Sequence, residues 1–197
     1  MNKVIFMVKE KNTSTKPAAK SGAAAQAKPE NAMRNLRLGK VVLNIGLRES
    51  GEAVEKAYHF LQNLSQTKPV KTLAGKKART FRVRFGLPIG VKVTLRREEA
   101  LALLKKVLPA VDSRIHESAF DNEGNFSFGI KEHLDIPGQK YDPKIGVLGL
   151  NVNASLERNG SRIKLRKIRK SIVGKSHRIS KQEAIAFTKN VLGIKVV

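Results

Sequence analysis

Apolar residues along the chain recur with two periods, and the alternation between the periods outlines the fold. In KVVLNIGL (Lys40–Leu47), Val41, Leu43, Ile45 and Leu47 fall on one side by the two-residue repeat of a strand, and Lys40, Val42, Asn44 and Gly46 on the other. The next segment, ESGEAVEKAYHFLQNLSQTKP, changes period. Val54, Ala57, Tyr58, Leu61 and Leu64 follow helical spacing, with Ser50 as the predicted N-cap and Pro69 as the stop. VKTLA (Val70–Ala74) returns to a short strand. In GKKARTFRVRFG (Gly75–Gly86), Phe81, Val83 and Phe85 alternate with Arg82 and Arg84, which predicts a strand with an anchored apolar side and an arginine side. After the turn GLPIG, the strand VKVTLR (Val91–Arg96) sets Val91, Val93 and Leu95 opposite Lys92, Thr94 and Arg96.

REEALALLKKVLPAV reads as a second amphipathic helix, with Ala100, Leu104, Val107, Leu108 and Val111 on its buried side. Glu98 and Glu99 open it and Lys105 and Lys106 come late, in the order that the helix dipole favours. NEGN turns into the strand FSFGI, whose Phe126, Phe128 and Ile130 read as core. GVLGLNVNASL is a long strand with Leu148, Leu150, Val152, Ala154 and Leu156 on one side. Residues 157–178 have no clean period and read as an extended arm or loop. The last helix, SKQEAIAFTKNVLG, carries a capping box of Ser180 and Glu183, a stripe of Ala184, Phe187, Thr188 and Val191, and a C-terminal Gly193.

The order strand, helix, strands, helix, strands, helix predicts an α+β domain. Its sheet is mostly antiparallel, its helices pack on one face, and its open face carries Lys40, Asn44, Lys92, Thr94 and Arg96. Residues 1–30 hold Lys, Ala, Ser, Thr and Pro without apolar period, as expected for a disordered basic tail. Residues 31–197 are expected to form a single domain, with an N-terminal half of about 31–90 and a C-terminal half of about 91–197.

Composition turns this outline toward a ligand. The chain has 39 Lys and Arg against 16 Asp and Glu, a net charge of +23, far outside the range of ~2–8 usual for small soluble domains. Such a field attracts polyanions, and nucleic acid first among them, because counterions leave its phosphates on binding. The charge is also clustered. Ten Lys or Arg and no Asp or Glu lie between Lys68 and Arg97, and nine against one acid between Glu157 and Arg178. Arginine meets phosphate with a planar fork of donors, and strand alternation aims every second side chain at the same surface.

Other chemistries drop out. There is no cysteine, hence no disulfide and no thiolate metal site. None of His59, His116, His133 and His177 has a metal-site spacing, and the cluster of Glu132, His133 and Asp135 sits in a turn-like acidic segment that suits a structural or surface role. No phosphate-cradling glycine motif or cofactor motif is present. No apolar run reaches a membrane span, and VIFMV near the N-terminus is too short for a secretory signal, so a cytoplasmic protein is expected. Charge alone would also allow a DNA-binding architectural protein. An enzyme acting on RNA would need a carboxylate or histidine on the basic face, and Lys68–Arg97 contains none.

The segments AMRNLRLGKVVLNIGLRESG, KARTFRVRFGLPIGVKVTLR, FDNEGNFSFGIKEH, YDPKIGVLGLNV and GKSHRISKQEA resemble the large-subunit ribosomal protein number five family, which binds 5S rRNA. The likeness runs from about Asn31 to the C-terminus, and KLRKIRKSIVGKSHRISKQEA is similar to the archaeal and eukaryotic branch; the tail has no counterpart. The resemblance implies an α+β fold whose open sheet face grips 5S rRNA through Asn31, Arg34, Lys40, Asn44, Lys71, Lys92, Thr94 and Arg96. It implies a loop at about Lys76–Phe85, bearing Lys76, Lys77, Arg79, Arg82 and Arg84, that meets P-site tRNA. It implies a place in the central protuberance among neighbouring ribosomal proteins. Large-subunit rRNA would then be the partner of the arm residues Arg162, Lys164, Arg166, Lys167, Arg169, Lys170, Lys175 and Arg178.

Overall fold

Two β-strands of opposite polarity flank the first long strand, and the rest of the molecule follows from that arrangement. The computed structural model describes residues 31–47, 50–76, 78, 83–139, 141, 143 and 146–197. The tail 1–30, expected from its composition to be disordered, lies outside the described residues. Strand β1 (Leu36–Gly46) pairs antiparallel with β3 (Pro88–Arg96) on one side and with β6 (Leu150–Arg158) on the other. Strand β2 (Val70–Leu73) closes the sheet beyond β3, and β5 (Asn125–Ile130) closes it beyond β6, in the order β2-β3-β1-β6-β5. Every pairing in this sheet is antiparallel.

β1 begins four residues before the stretch that its periodicity predicts. The register shifts between Leu38 and Lys40, so Leu38 and Val41 both reach the core although they stand three positions apart. That bulge at Gly39 breaks the two-residue repeat and hides the first part of the strand from a pattern reading. The remainder alternates as expected, with Val41, Leu43 and Ile45 buried.

Three helices cover the apolar side of the sheet. Helix α1 (Glu52–Ser65) buries Val54, Ala57, Phe60, Leu61 and Leu64. Phe60 joins the stripe, whereas Tyr58 stays half-buried at its edge. The N-cap is Gly51, at φ 104°, rather than Ser50; glycine alone reaches that backbone region without strain. The helix stops at Ser65, short of Pro69, because Gln66 turns left-handed and returns its N–H to the Gln62 carbonyl. Helix α2 (Arg97–Val107) buries Ala100, Leu103, Leu104 and Val107 and tightens into a 3-10 turn over Leu108–Val111.

Helix α3 (Lys181–Phe187) starts on the predicted capping box, which has both of its reciprocal hydrogen bonds. It then widens into a π-helical turn over Thr188–Leu192 before Gly193 ends it in the left-handed region. The wider turn rotates the residues that follow, so Val191 leaves the predicted stripe and is 45% exposed. Beyond it, β7 (Lys195–Val196) pairs in parallel with β4 (Arg114–Ile115), a contact with no signature in the sequence.

One apolar cluster joins sheet and helices, and residues 31–197 form a single compact unit. His133 belongs to this core. It is 1% exposed, its Nδ1 accepts the Leu148 N–H at 3.2 Å, and its ring meets Phe60 edge-on at 4.9 Å. A histidine so placed is a packing element, in line with the structural role expected of its segment.

The stretch 75–86 departs from its prediction. Its base is closed by hydrogen bonds from Ala74 N–H to the Leu87 carbonyl and from Gly86 N–H to the Ala74 carbonyl. Within it, residues 83–87 form turn and irregular backbone, not a strand. Phe85 is 62% exposed and anchors nothing, and Val83 is half-buried. The alternation had no neighbouring strand to pair with, since β2 and β3 meet only as far as Leu73 and Pro88. Phe81 and Arg82 lie outside the described residues.

Candidate nucleic-acid interface

Antiparallel register places directly opposed residues on the same side of a sheet. Lys92, Asn44 and Asn151 are opposed in one row, Thr94, Val42 and Asn153 in the next, and Arg96, Lys40 and Ser155 in a third. β5 extends these rows with Gly129, Ser127 and Asn125. Among the described residues no helix covers this face: Lys92, Thr94, Arg96, Asn151, Asn153 and Ser127 are exposed, and Lys40, Val42 and Asn44 half-buried. It carries cations on β1 and β3, amides and hydroxyls on β5 and β6, and its first carboxylate, Glu157, comes one row past Lys40 and Ser155, opposite Arg37. A surface of this composition offers many donors to phosphate, sugar and base edges and little repulsion.

The expected residues Lys40, Asn44, Lys92, Thr94 and Arg96 therefore share one face. Lys71 does not. Its register partner is Val91, a core residue, so it points to the helix side of the sheet. There its ammonium pairs with the Glu55 carboxylate and lies 5.6 Å from the centre of the Tyr58 ring. Lys71 fastens β2 to α1, and its charge is already matched.

Asn31 caps, and Arg34 ends, a 3-10 turn, Ala32–Arg34, at the start of the described chain. The Asn31 Oδ1 accepts the Met33 N–H at 3.0 Å, and Asn159 Nδ2 donates to the Ala32 carbonyl at 3.0 Å, which ties the turn to the end of β6. Arg34 is exposed beside this junction.

The arm also springs from the end of β6. Short 3-10 turns at Ser161–Lys164 and Lys175–His177 frame it, and Ser171 N–H returns to the Ile163 carbonyl at 3.3 Å. His177 Nε2 lies 2.8 Å from the Asn159 carbonyl and pins the far end. Arg162, Lys164, Arg166, Lys167, Arg169, Lys170, Lys175 and Arg178 are all exposed. Arg158, the first cation of the tract, is instead 8% exposed and gives its guanidinium to Glu183 at 2.7 Å. The Ser180 backbone N–H bonded to the Glu183 carboxylate, with Arg158 beside it, holds that carboxyl below its ordinary range. Arg158 is thus a tether between β6 and α3.

Of the loop residues, Lys76 and Arg84 are exposed; Lys77, Arg79 and Arg82 lie outside the described residues. Sequence reasoning missed Asn151, Asn153, Ser155 and Ser127. The signal was present, as the polar phase of the same alternation that identified β6 and β5. Among the described residues no cluster of side chains could hold a metal ion, and no helix is long and apolar enough to cross a membrane.

Comparison with known proteins gives the chain a family. The family model described as ribosomal protein L5 matches residues 31–84, and the model of that family's C-terminus matches residues 88–187. The large ribosomal subunit protein uL5 of Sulfolobus acidocaldarius is 51% identical over 87% of this chain and 97% of its own length. Those of Nanoarchaeum equitans and Nitrosopumilus maritimus are 49% and 46% identical, each over 85% of this chain and 99% and 96% of their own. The chain belongs to the ribosomal protein L5 family, structural constituents of the large ribosomal subunit rather than enzymes.

Proposed function

We propose that the open sheet face grips 5S rRNA, that the arm lies on large-subunit rRNA, and that the loop between β2 and β3 meets P-site tRNA. The observation that carries the first part is the carboxylate-free patch of Lys40, Lys92 and Arg96 interleaved with Asn44, Thr94, Asn151 and Asn153 on one uncovered face. Cations neutralise the backbone, while amides and hydroxyls can reach sugar hydroxyls and base edges, a mixture that suits structured RNA better than DNA. Lys71 takes no part in this grip. The protein then sits among neighbouring proteins in the central protuberance, a reading supported by its membership of a large-subunit family.

The loop reading rests on the family resemblance and on the exposed Lys76 and Arg84 at its two ends. Phosphate contacts position a partner without reading its sequence, as a surface that accepts every tRNA requires.

The test compares binding of the purified chain to 5S rRNA and to duplex DNA of equal length at equal salt. 5S rRNA is expected to bind more tightly, and Lys92→Ala and Asn44→Ala to weaken it while Lys71→Ala leaves it unchanged. Equal affinity for both nucleic acids would sink the reading. For the loop, ribosomes carrying Lys77→Ala, Arg79→Ala and Arg82→Ala together should release P-site tRNA faster yet retain 5S rRNA. An unchanged release rate with diminished 5S rRNA would assign the loop to assembly.

A further inference from the structure

A cavity of about 440 Å³ opens where β6 runs into the arm. That volume lies in the range of pockets that enclose a small organic ligand. Its apolar surface comes from Leu156, Ile172, Val173 and Ile179. Two of these are fixed: Leu156 is buried in the sheet, and Ile179 packs so closely on Gly124 that a Cβ there would lie 2.7 Å from it. Ile172 is different. It hangs from the arm, 83% exposed, an apolar side chain at a cavity mouth with nothing over it.

The polar lining is of two kinds. Lys164, Lys170 and Arg178 supply cations from the arm, and two carboxylates face them, Glu157 from β6 and Glu123 from the turn before β5. Among the described residues none of the five is in an ion pair, and Glu157 is engaged by the Ser161 hydroxyl. The walls are held in place without a ligand. Ser161 Oγ donates to Glu157 at 3.0 Å, Ser171 N–H to the Ile163 carbonyl at 3.3 Å, and His177 lies against the Asn159 carbonyl. On the inner wall the Arg158 guanidinium spends one nitrogen on Glu183, and its buried Nε has no partner.

An apolar slot, a cationic rim and the Glu123 carboxylate, which has no hydrogen-bond or ion-pair partner among the described residues, are the complement of a single nucleotide. We infer that this cavity receives one unstacked RNA nucleotide, guanine in preference to the other three. The base lies against Leu156, Ile172 and Ile179, which covers the exposed Ile172. The phosphate sits among Lys164, Lys170 and Arg178. Guanine alone offers two adjacent N–H donors, N1 and N2, on one edge, and these match the two oxygens of Glu123; adenine, cytosine and uracil each offer a single donor group there. Single-stranded loops and bulges supply such bases, because their bases can be splayed out of the stack. The inference rests on the RNA-binding reading above. It adds a base-reading pocket, at the end of the sheet, to an arm otherwise limited to phosphate.

The experiment titrates the full-length chain with GMP, AMP and inorganic phosphate, following the backbone amides of Ser161, Ile172 and Ile179 by NMR. GMP should shift all three saturably, AMP should need roughly tenfold more ligand, as expected where one bidentate pairing is missing, and phosphate should leave Ile172 and Ile179 unmoved. Glu123→Gln, on an exposed turn, should erase the preference for GMP without changing the melting temperature, and Ile172→Asp should abolish the shifts. Shifts by GMP no larger than those by phosphate, or equal response to GMP and AMP, would overturn the inference. Binding of 5S rRNA to the same samples separates the two readings. A chain that holds 5S rRNA through Lys92 but ignores GMP loses the pocket alone; one that takes GMP but not 5S rRNA loses the sheet reading alone.

Discussion

Lys92 and Val93 are neighbours in the chain and lie on opposite sides of β3, which separates the proposed RNA-binding face from the core within two residues. Val93→Ala should lower stability by about 1–3 kcal/mol, because it leaves a cavity between the sheet and its helices. Lys92→Ala should leave the melting temperature alone and weaken RNA binding. Thermal melts of the two variants check the assignment, and a silent Val93→Ala beside a melting Lys92→Ala would invert it. Ser180 and Glu183 allow a second test. Removing the cap by Ser180→Ala should cost about 1 kcal/mol. The Glu183 carboxyl is held low in the folded chain, chiefly by the Ser180 N–H and then by Arg158. Its stabilisation is therefore present above the ordinary carboxylate range and is lost as pH falls through the lowered folded value. Glu183→Gln should be less stable at neutral pH, and its melting temperature in acid should converge with that of the parent chain.

At the scale of elements, the decisive case is the hairpin of β2 and β3. Its base is closed by Ala74 with Gly86 and Leu87, so the pairing of the strands does not depend on what lies between. Phe85→Ser should then change stability by no more than about 0.5 kcal/mol, as for an exposed site, whereas Phe126→Ala, deep in the core, should cost about 3–5 kcal/mol. Denaturant unfolding of both variants distinguishes an exposed loop aromatic from the anchored strand that alternation alone suggests. Comparable destabilisation by the two would restore the anchored strand. The π-helical turn after α3 makes the same point with Val191: a periodic stripe holds only while the helix keeps its pitch.

For the whole molecule, charge sets the strength of binding and the fold sets its direction. A net charge of +23 makes RNA affinity fall steeply with salt. Each phosphate interaction that a substitution removes should reduce the log–log slope by roughly 0.7–0.9. Lys92→Ala and Arg166→Ala together should therefore reduce it by about twice that amount, while Lys71→Ala leaves it unchanged because Glu55 already neutralises that ammonium. Salt titrations of the double variant and of Lys71→Ala measure this, and a slope that responds to Lys71 would contradict the face assignment.

Local pattern is enough to dictate the class of fold, the two-faced strands, the capping box of α3 and the polyanion-binding character, because each is a periodicity, a short-range hydrogen bond or a sum of charges. Lys40, Asn44, Lys92, Thr94 and Arg96 fall on one face by alternation alone, since a strand repeats every two residues wherever no bulge intervenes. Tertiary structure settles everything set by a partner distant in the chain. Gly39 hides the start of β1 because its bulge answers to β6. Lys71 turns inward because β2 takes its register from β3 and its counter-charge from α1. Arg158 is buried because Glu183, twenty-five residues on, comes to meet it. The cavity beside β6 exists only where the turn before β5, the end of β6 and the arm converge. Pairing, burial and shape between distant segments are properties of the folded chain, and no local pattern of residues encodes them.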